Sequence, residues 1–192
     1  ALAEEVGGEP WVVDLSDPDA ITGAPEAADV DVLVNNAGIQ IVAPVEEFPY
    51  EDFARIHRIM LHAPFLLAQA ALPGMYERGW GRIINISSVH GLRASEYKSA
   101  YISAKHGLEG LSKVLAQEGA NRGVTSNCIN PAYVRTPLVE GQIAEQARAH
   151  GITEDEVIEK IMLTRSPVKR LVEPAEVADL AHYLTTDSAQ MI

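Results

Sequence analysis

The chain has 192 residues, 47% of them hydrophobic and 22% charged, and its 27 acidic against 15 basic side chains leave a formal net charge of −12. That balance argues against nucleic acid, whose phosphates demand a basic face, and the hydrophobic share argues against a disordered polyelectrolyte. Cys128 is the single cysteine, so neither an internal disulfide nor a cysteine-built metal site is possible, and a reducing, cytoplasmic setting is expected.

Taken in chain order, Ala1 to Val6 followed by Gly7-Gly8 has the pattern of a helix's last turns and a glycine stop. It lacks the basic start and apolar stretch of a secretory signal. Trp11-Val12-Val13 and Val32-Leu33-Val34 are short, β-branched runs expected to be strands. The segment Ser16 to Val30 between them is short for a packed helix. A long amphipathic helix is expected over about 51–78, kinked at Pro73. Its apolar run Phe65–Leu72 is broken by Gln69 and flanked by Pro64 and Pro73, well short of the ~20 residues that cross a bilayer, so no membrane partner is expected. Further strands are expected at Ile83–Ile86 and Val124–Ile129. Between those two lies a helix over about 100–118, whose Leu108, Leu111 and Leu115 should face the sheet before Asn121-Arg122-Gly123 ends it. Thr153 with Glu156 forms a capping box for a helix over about 153–163, and Glu173 to Leu184 is again helical. Apolar strands alternating with amphipathic helices call for a parallel sheet covered on both faces, in one α/β domain over 1–192.

The sharpest chemical signal is Tyr101-Ile102-Ser103-Ala104-Lys105, which places a phenol and an ammonium one turn apart on a single helix face. A phenol is a poor base at neutral pH, and a fixed cation nearby stabilises its anion. Ser88 adds a hydroxyl at the carboxyl end of the strand Ile83–Ile86, the sheet edge where ligands bind in open parallel sheets.

Asn35-Asn36-Ala37-Gly38 after a strand, Ser88 after Asn85-Ile86-Ser87, Tyr101 with Lys105, and Asn130-Pro131 before Val134-Arg135-Thr136 together resemble the short-chain dehydrogenases/reductases over essentially the whole chain. The resemblance implies a Rossmann-type doubly wound sheet and hydride transfer between NAD and an alcohol or ketone. It implies that Tyr101 is the acid/base, that Ser88 holds the substrate oxygen, and that Lys105 binds the nicotinamide ribose while lowering the pKa of Tyr101. Asn36, Ala37 and Gly38 would line the cofactor, Asp14 and Leu15 would contact adenine, and Pro131, Val134 and Thr136 would border the nicotinamide. Within the family, Gln40, His90, Lys98 and Gln142 match positions that bind a substrate carboxylate, which points to a small 3-hydroxy acid, D-3-hydroxybutyrate, oxidised to acetoacetate. An anion approaching so acidic a protein needs such local donors. The alternatives are reduction of a 3-oxoacyl thioester or other ketone, and a catalytically silent chain. A homotetramer, and a mobile helical lid over about 138–165 that carries Gln142, are also implied.

The 192 residues depart from the family pattern in several places. Its glycine-rich phosphate loop and first strands would precede Ala1, its last strand would follow Ile192, and a whole protein of about 250 residues is expected. Met60 stands where many members have an asparagine whose backbone carbonyl holds a water of the proton relay. Ala132 replaces a common glycine. Cys128, inside an apolar strand, reads as a buried small hydrophobe, and no catalytic metal is expected: His57 and His62 diverge on their helix, and Glu154-Asp155-Glu156 suits a helix start.

Overall fold

The computed structural model describes residues 2–164 and 166–192, apart from the side chains of Leu2, Pro25, Leu138, Gln142, Glu145, Gln146 and Ala149. Three strands, β1 (Val32–Asn35), β2 (Gly81–Ile86) and β3 (Val124–Ile129), form a parallel sheet in the order β1-β2-β3. Parallel neighbours need long crossovers. Helices α1 (Leu2–Val6), α2 (Pro18–Ile21) and α3 (Pro25–Ala28) precede the sheet. From β1 to β2 the chain runs through α4 (Tyr50–His57), a π turn (Arg58–His62) and α5 (Ala63–Arg78), and from β2 to β3 through α6 (Ser99–Gly119). After β3 follow α7 (Pro137–His150), α8 (Glu154–Val157) and α9 (Pro174–Thr185).

Strand β2 shows why both faces are covered. Its side chains alternate: Ile83 packs with Ala68, Leu72 and Met75 of α5 and Leu115 of α6, whereas Ile84 packs with Ile129, Leu184 and Ala189 on the α9 side. Leu108 is buried, as its spacing predicts. This is the Rossmann-like α/β architecture with helices on either side of the sheet. Register places Asn35 beside Asn85 and Asn85 beside Cys128, so the three carboxyl ends emerge together. Asn35 Nδ2 donates to Asn85 Oδ1 at 2.8 Å, and Ser126 Oγ lies 2.9 Å from Ser112 Oγ, which ties the strands and α6 by buried polar links.

Gly123 turns the chain from α6 into β3 with φ of 73°, in the left-handed region, and a Cβ there would strike the Gly79 carbonyl. Gly123→Ala is expected to destabilise the fold by at least about 2 kcal/mol in urea unfolding, from the left-handed conformation and the contact together.

Two expectations need correction, at Trp11–Val13 and in the long helix. Trp11–Val13 forms no strand and joins no ladder among the described residues, and Val12 is 94% exposed. Ser16–Val30, short for a packed helix as expected, makes only the single turns α2 and α3. The irregularity in the long helix lies at Arg58–His62 and not at Pro73, through which α5 continues. Pro64 contributes to it: with no N–H, it cannot serve the Met60 carbonyl four residues back. The turn widens so that the Ala63 N–H donates to the Arg58 carbonyl, five residues back. The combined helix Tyr50–Arg78 is also more apolar than its interrupted sequence suggests. Its 29 residues include a window of mean hydropathy 1.2, long and apolar enough to cross a membrane by length and composition alone, with a third of that window buried inside the protein. The capping box at Thr153 and Glu156 is present as expected.

Candidate active site

The carboxyl ends of β1, β2 and β3 open onto a cavity of 260 Å³. Asn36, Gly38 and Gln40 enter it from the turn after β1, and Ser88 and His90 from the end of β2. The start of α6 contributes Tyr101 and Lys105, preceded by Lys98, and the loop after β3 contributes Pro131, Val134 and Thr136. Ligand sites form at this edge because helix starts and chain crossovers leave a crevice there. The apolar wall is made by Ile39, Ile86, Val89, Tyr133 and Val139, with Ser87 and Ala132 between. Sequence reasoning missed these seven. Ile86 and Ser87 adjoin Ser88, a usable signal, but nothing in the spacing marks Tyr133.

Tyr101 and Lys105 share one face of α6, and the Lys105 ammonium lies 5.8 Å from the centre of the Tyr101 ring. Lys105 is 4% exposed, and its Nζ donates to the Ile86 carbonyl at 2.6 Å. Burial pulls its pKa down to about 8, against the opposing pull of Cys128 and the Glu109 carboxylate. The Ser88 hydroxyl accepts the His90 backbone N–H at 3.1 Å, and the same side chain is hydrogen-bonded to the Tyr101 phenol. The expectation that Lys105 lowers the pKa of Tyr101 is not met in this geometry. Burial pushes the phenol above its ordinary value, and it is the Ser88 hydrogen bond that opposes the rise. The reason is geometric: the ammonium is committed to the Ile86 carbonyl, while the ring sits in a desolvated pocket.

Lys98, His90 and Gln40 line the same cavity. The His90 ring packs edge-on to Tyr101 at 6.1 Å, and its Nε2 lies 3.1 Å from Ser95 Oγ. Both basic groups are half-buried. Burial lowers the pKa of each, and the Lys98 charge lowers that of His90 further. Among the described residues the Lys98 ammonium has no ion-pair or hydrogen-bond partner, and the cavity lining holds no carboxylate.

The remaining predicted residues lie elsewhere. Ala37 and Leu15 line an adjoining cleft of 60 Å³ with Asn35 and Asn36, and the buried Asn35 Oδ1 there has no hydrogen-bond donor. Asp14 lines neither hollow. Its exposed carboxylate accepts the Ser16 N–H and hydroxyl at 2.8 and 2.7 Å, which closes a turn and holds its pKa below the usual carboxylate range. An adenine contact therefore finds no support in its present bonding. Gln142 falls on α7, and its side chain is outside the described residues. Met60 is buried among Ile56, Ala100 and Ala104 beneath Gly38. Cys128 is only partly buried, and burial pushes its thiol up to about 11, which leaves it protonated and unreactive.

The family profile described as Enoyl-(Acyl carrier protein) reductase matches residues 1–192. The chain is 46% identical over 202 residues to the D-beta-hydroxybutyrate dehydrogenase of Rhizobium meliloti (strain 1021), covering 100% of this chain and 78% of that protein. It belongs to the short-chain dehydrogenase/reductase family. Membership makes it an oxidoreductase of a family that uses NAD(P). The D-beta-hydroxybutyrate dehydrogenase of Cupriavidus necator is likewise 46% identical over 162 residues, 84% of this chain and 63% of the relative. An acetoacetyl-CoA reductase of the same organism is 37% identical over 164 residues, 85% of this chain and 62% of its own. A solved structure named as an NAD(P)-dependent gluconate 5-dehydrogenase from Beutenbergia cavernae, with bound NADP, superposes with a TM-score of 0.86 at 31% identity, covering 100% of this chain and 76% of that one. The chain thus spans between about three fifths and four fifths of the length of these relatives.

Proposed function

We propose that this short-chain dehydrogenase interconverts D-3-hydroxybutyrate and acetoacetate with NAD(H). The observation that carries the reading is the unpaired, half-buried Lys98 ammonium, which lines a cavity without a carboxylate together with His90, Gln40, Tyr101 and Lys105. A buried charge without a counterion is unfavourable, so the site is complementary to an anion small enough to reach Tyr101 as well. The relatives named D-beta-hydroxybutyrate dehydrogenase, at 46% identity, support that choice.

The residues suit the nicotinamide half of the nucleotide. Lys105 and Tyr101 offer donors for ribose hydroxyls, Pro131 and Val134 offer an apolar border, and the orphaned Asn35 oxygen marks a polar cleft beyond Asn36. When bound, nicotinamide supplies the hydride chemistry at the carbinol carbon. The chain's own residues deal with the oxygen. Ser88 donates a hydrogen bond that holds the substrate oxygen beside the phenol, and Tyr101 takes the hydroxyl proton in oxidation or returns it in reduction. Lys98, His90 and Gln40 grip the carboxylate and so set which carbon faces the cofactor. Because burial raises the phenol's pKa, its protonated form dominates at neutral pH. Ketone reduction therefore finds its proton donor ready, and alcohol oxidation should speed up as pH rises toward the point, about 8, where Lys105 loses its proton.

Lys98→Ala is expected to raise KM for the free acid about 100-fold, the equivalent of about 3 kcal/mol for a partly desolvated charge pair, with KM for NADH within threefold. Methyl acetoacetate, which lacks the charge, should be reduced equally by both proteins. The second reading, a thioester reductase like the acetoacetyl-CoA reductase relative, makes the opposite forecast: the ester would be the better substrate of the unaltered protein, and Lys98→Ala would change nothing.

A further inference from the structure

Glu109 is the buried carboxylate that the reaction just described leaves unused. It lies on α6 one turn beyond Lys105 and is 9% exposed. Such a group persists in an interior only when its charge is compensated, and its surroundings show how. Its Oε1 accepts from Asn130 Nδ2, and that same Nδ2 donates to the Ser88 backbone carbonyl at 3.0 Å. The turn after Ser88 is pressed against it: a Cβ on Gly91 would come 3.0 Å from Glu109 Oε1 and 2.6 Å from Ser87 Oγ. One carboxylate thereby touches the end of β3 and the turn after β2, beneath the side chains that line the cavity.

We propose that Glu109 is a positioning residue of this site: through Asn130 it anchors the Ser88 turn, and from one helical turn away it holds a negative charge toward Lys105. The proposal rests on the reading of Tyr101 as the acid/base and Lys105 as the donor that holds the nucleotide ribose beside it. The groups that face Lys105 are Glu109 and Tyr101 on its own helix, Cys128 on β3 and the Ile86 carbonyl on β2. Cys128 is a neutral thiol at neutral pH, so Glu109 supplies the compensating charge. Of the histidines on elements packed against α6, His57 is engaged by Phe53 and Ser103, His90 faces Tyr101, and His62 lines a separate hollow with Leu111. The sequence hides this role, because a glutamate beside Leu108 and Leu111 reads as a solvated helix position.

The test compares Glu109→Gln and Asn130→Ala with the unaltered protein by two readouts. In hydrogen–deuterium exchange, which needs no turnover, both variants should speed exchange in the segment 86–92 about tenfold while the rest of the chain is unchanged. In the pH profile of kcat/KM, Glu109→Gln should move the alkaline limb down by about one unit, because an ammonium without its counter-charge loses its proton sooner. Asn130→Ala should lower kcat about tenfold without moving that limb. Exchange at 86–92 unchanged in both variants, or an unmoved limb in a folded Glu109→Gln protein, would overturn the proposal. If Glu109→Gln does not fold, Asn130→Ala decides: wild-type exchange and kcat in that variant refute the anchoring. Tyr101→Phe, run alongside, separates the two levels, since its retained activity would sink the acid/base reading whatever Glu109 does.

Discussion

Tyr101→Phe is expected to lower kcat by about 10³-fold, within the range that positioned acid–base groups contribute. The substitution removes one oxygen and leaves the rest in place. The ring still packs edge-on to His90, and Ala100 and Ala104 of α6 keep their apolar contacts with Ile56 and Met60. Ser88 loses the phenol but retains the His90 N–H on its oxygen, so no buried group is stranded without any partner. Stability should therefore stay within about 1 kcal/mol of the original, and NADH affinity, measured by fluorescence titration, within a few-fold, because Lys105 and the loop after β3 still face the nucleotide. Loss of turnover with intact binding is the signature of an interaction made in the transition state alone. Turnover within tenfold of the unaltered protein, in either direction, would show that another group carries the proton.

How far these features were legible depends on whether their cause is local. The Tyr101–Lys105 pairing is a property of helical spacing, and the alternation of Ile83 and Ile84 between two cores follows from strand geometry, so both could be read directly. Ser88 required one more step, the inference that a parallel sheet opens at its carboxyl edge. Trp11–Val13 failed because a strand exists only through a neighbour, and β-branched residues do not reveal whether one lies alongside. Pro64 and Pro73 carry the same chemistry, a missing donor in a helix, yet the wide turn forms only at the first, so the surroundings decide. The raised pKa of the phenol was out of reach for a similar reason: a lysine four residues away is visible in the sequence, whereas the burial of the ring and the turning of the ammonium toward Ile86 are products of the whole fold. Glu109 was passed over because its burial is set by α6 against β3.

Lys105 provides the second large effect, and it is read in stability as well as in rate. Its pKa is 10.5 in its ordinary state and about 8 in the fold, chiefly because burial disfavours the charge. Between those two values the unfolded chain holds a proton that the folded chain has released, so stability rises with pH across the window. Below pH 8 the fold bears the whole burden of the buried ammonium, and above 10.5 it bears none. A shift of that size corresponds to about 3 kcal/mol. Lys105→Met removes the titration while filling much of the same volume. Urea unfolding of the two proteins should therefore show the original gaining about 3 kcal/mol on the variant between pH 7 and pH 10.5, with the shared background of other groups cancelling in the difference. A difference that stays flat would mean that the lysine keeps its ordinary pKa in the fold and is not buried as a charge. The same variant is expected to lose at least about 10²-fold in kcat, since the nucleotide ribose loses its donor beside the phenol. The two measurements constrain each other. The alkaline limb of kcat/KM reports the free enzyme, so it must fall near the pH where the stability difference begins to climb. A limb well away from that point would assign the loss of activity to a different group and leave Lys105 with a structural part alone.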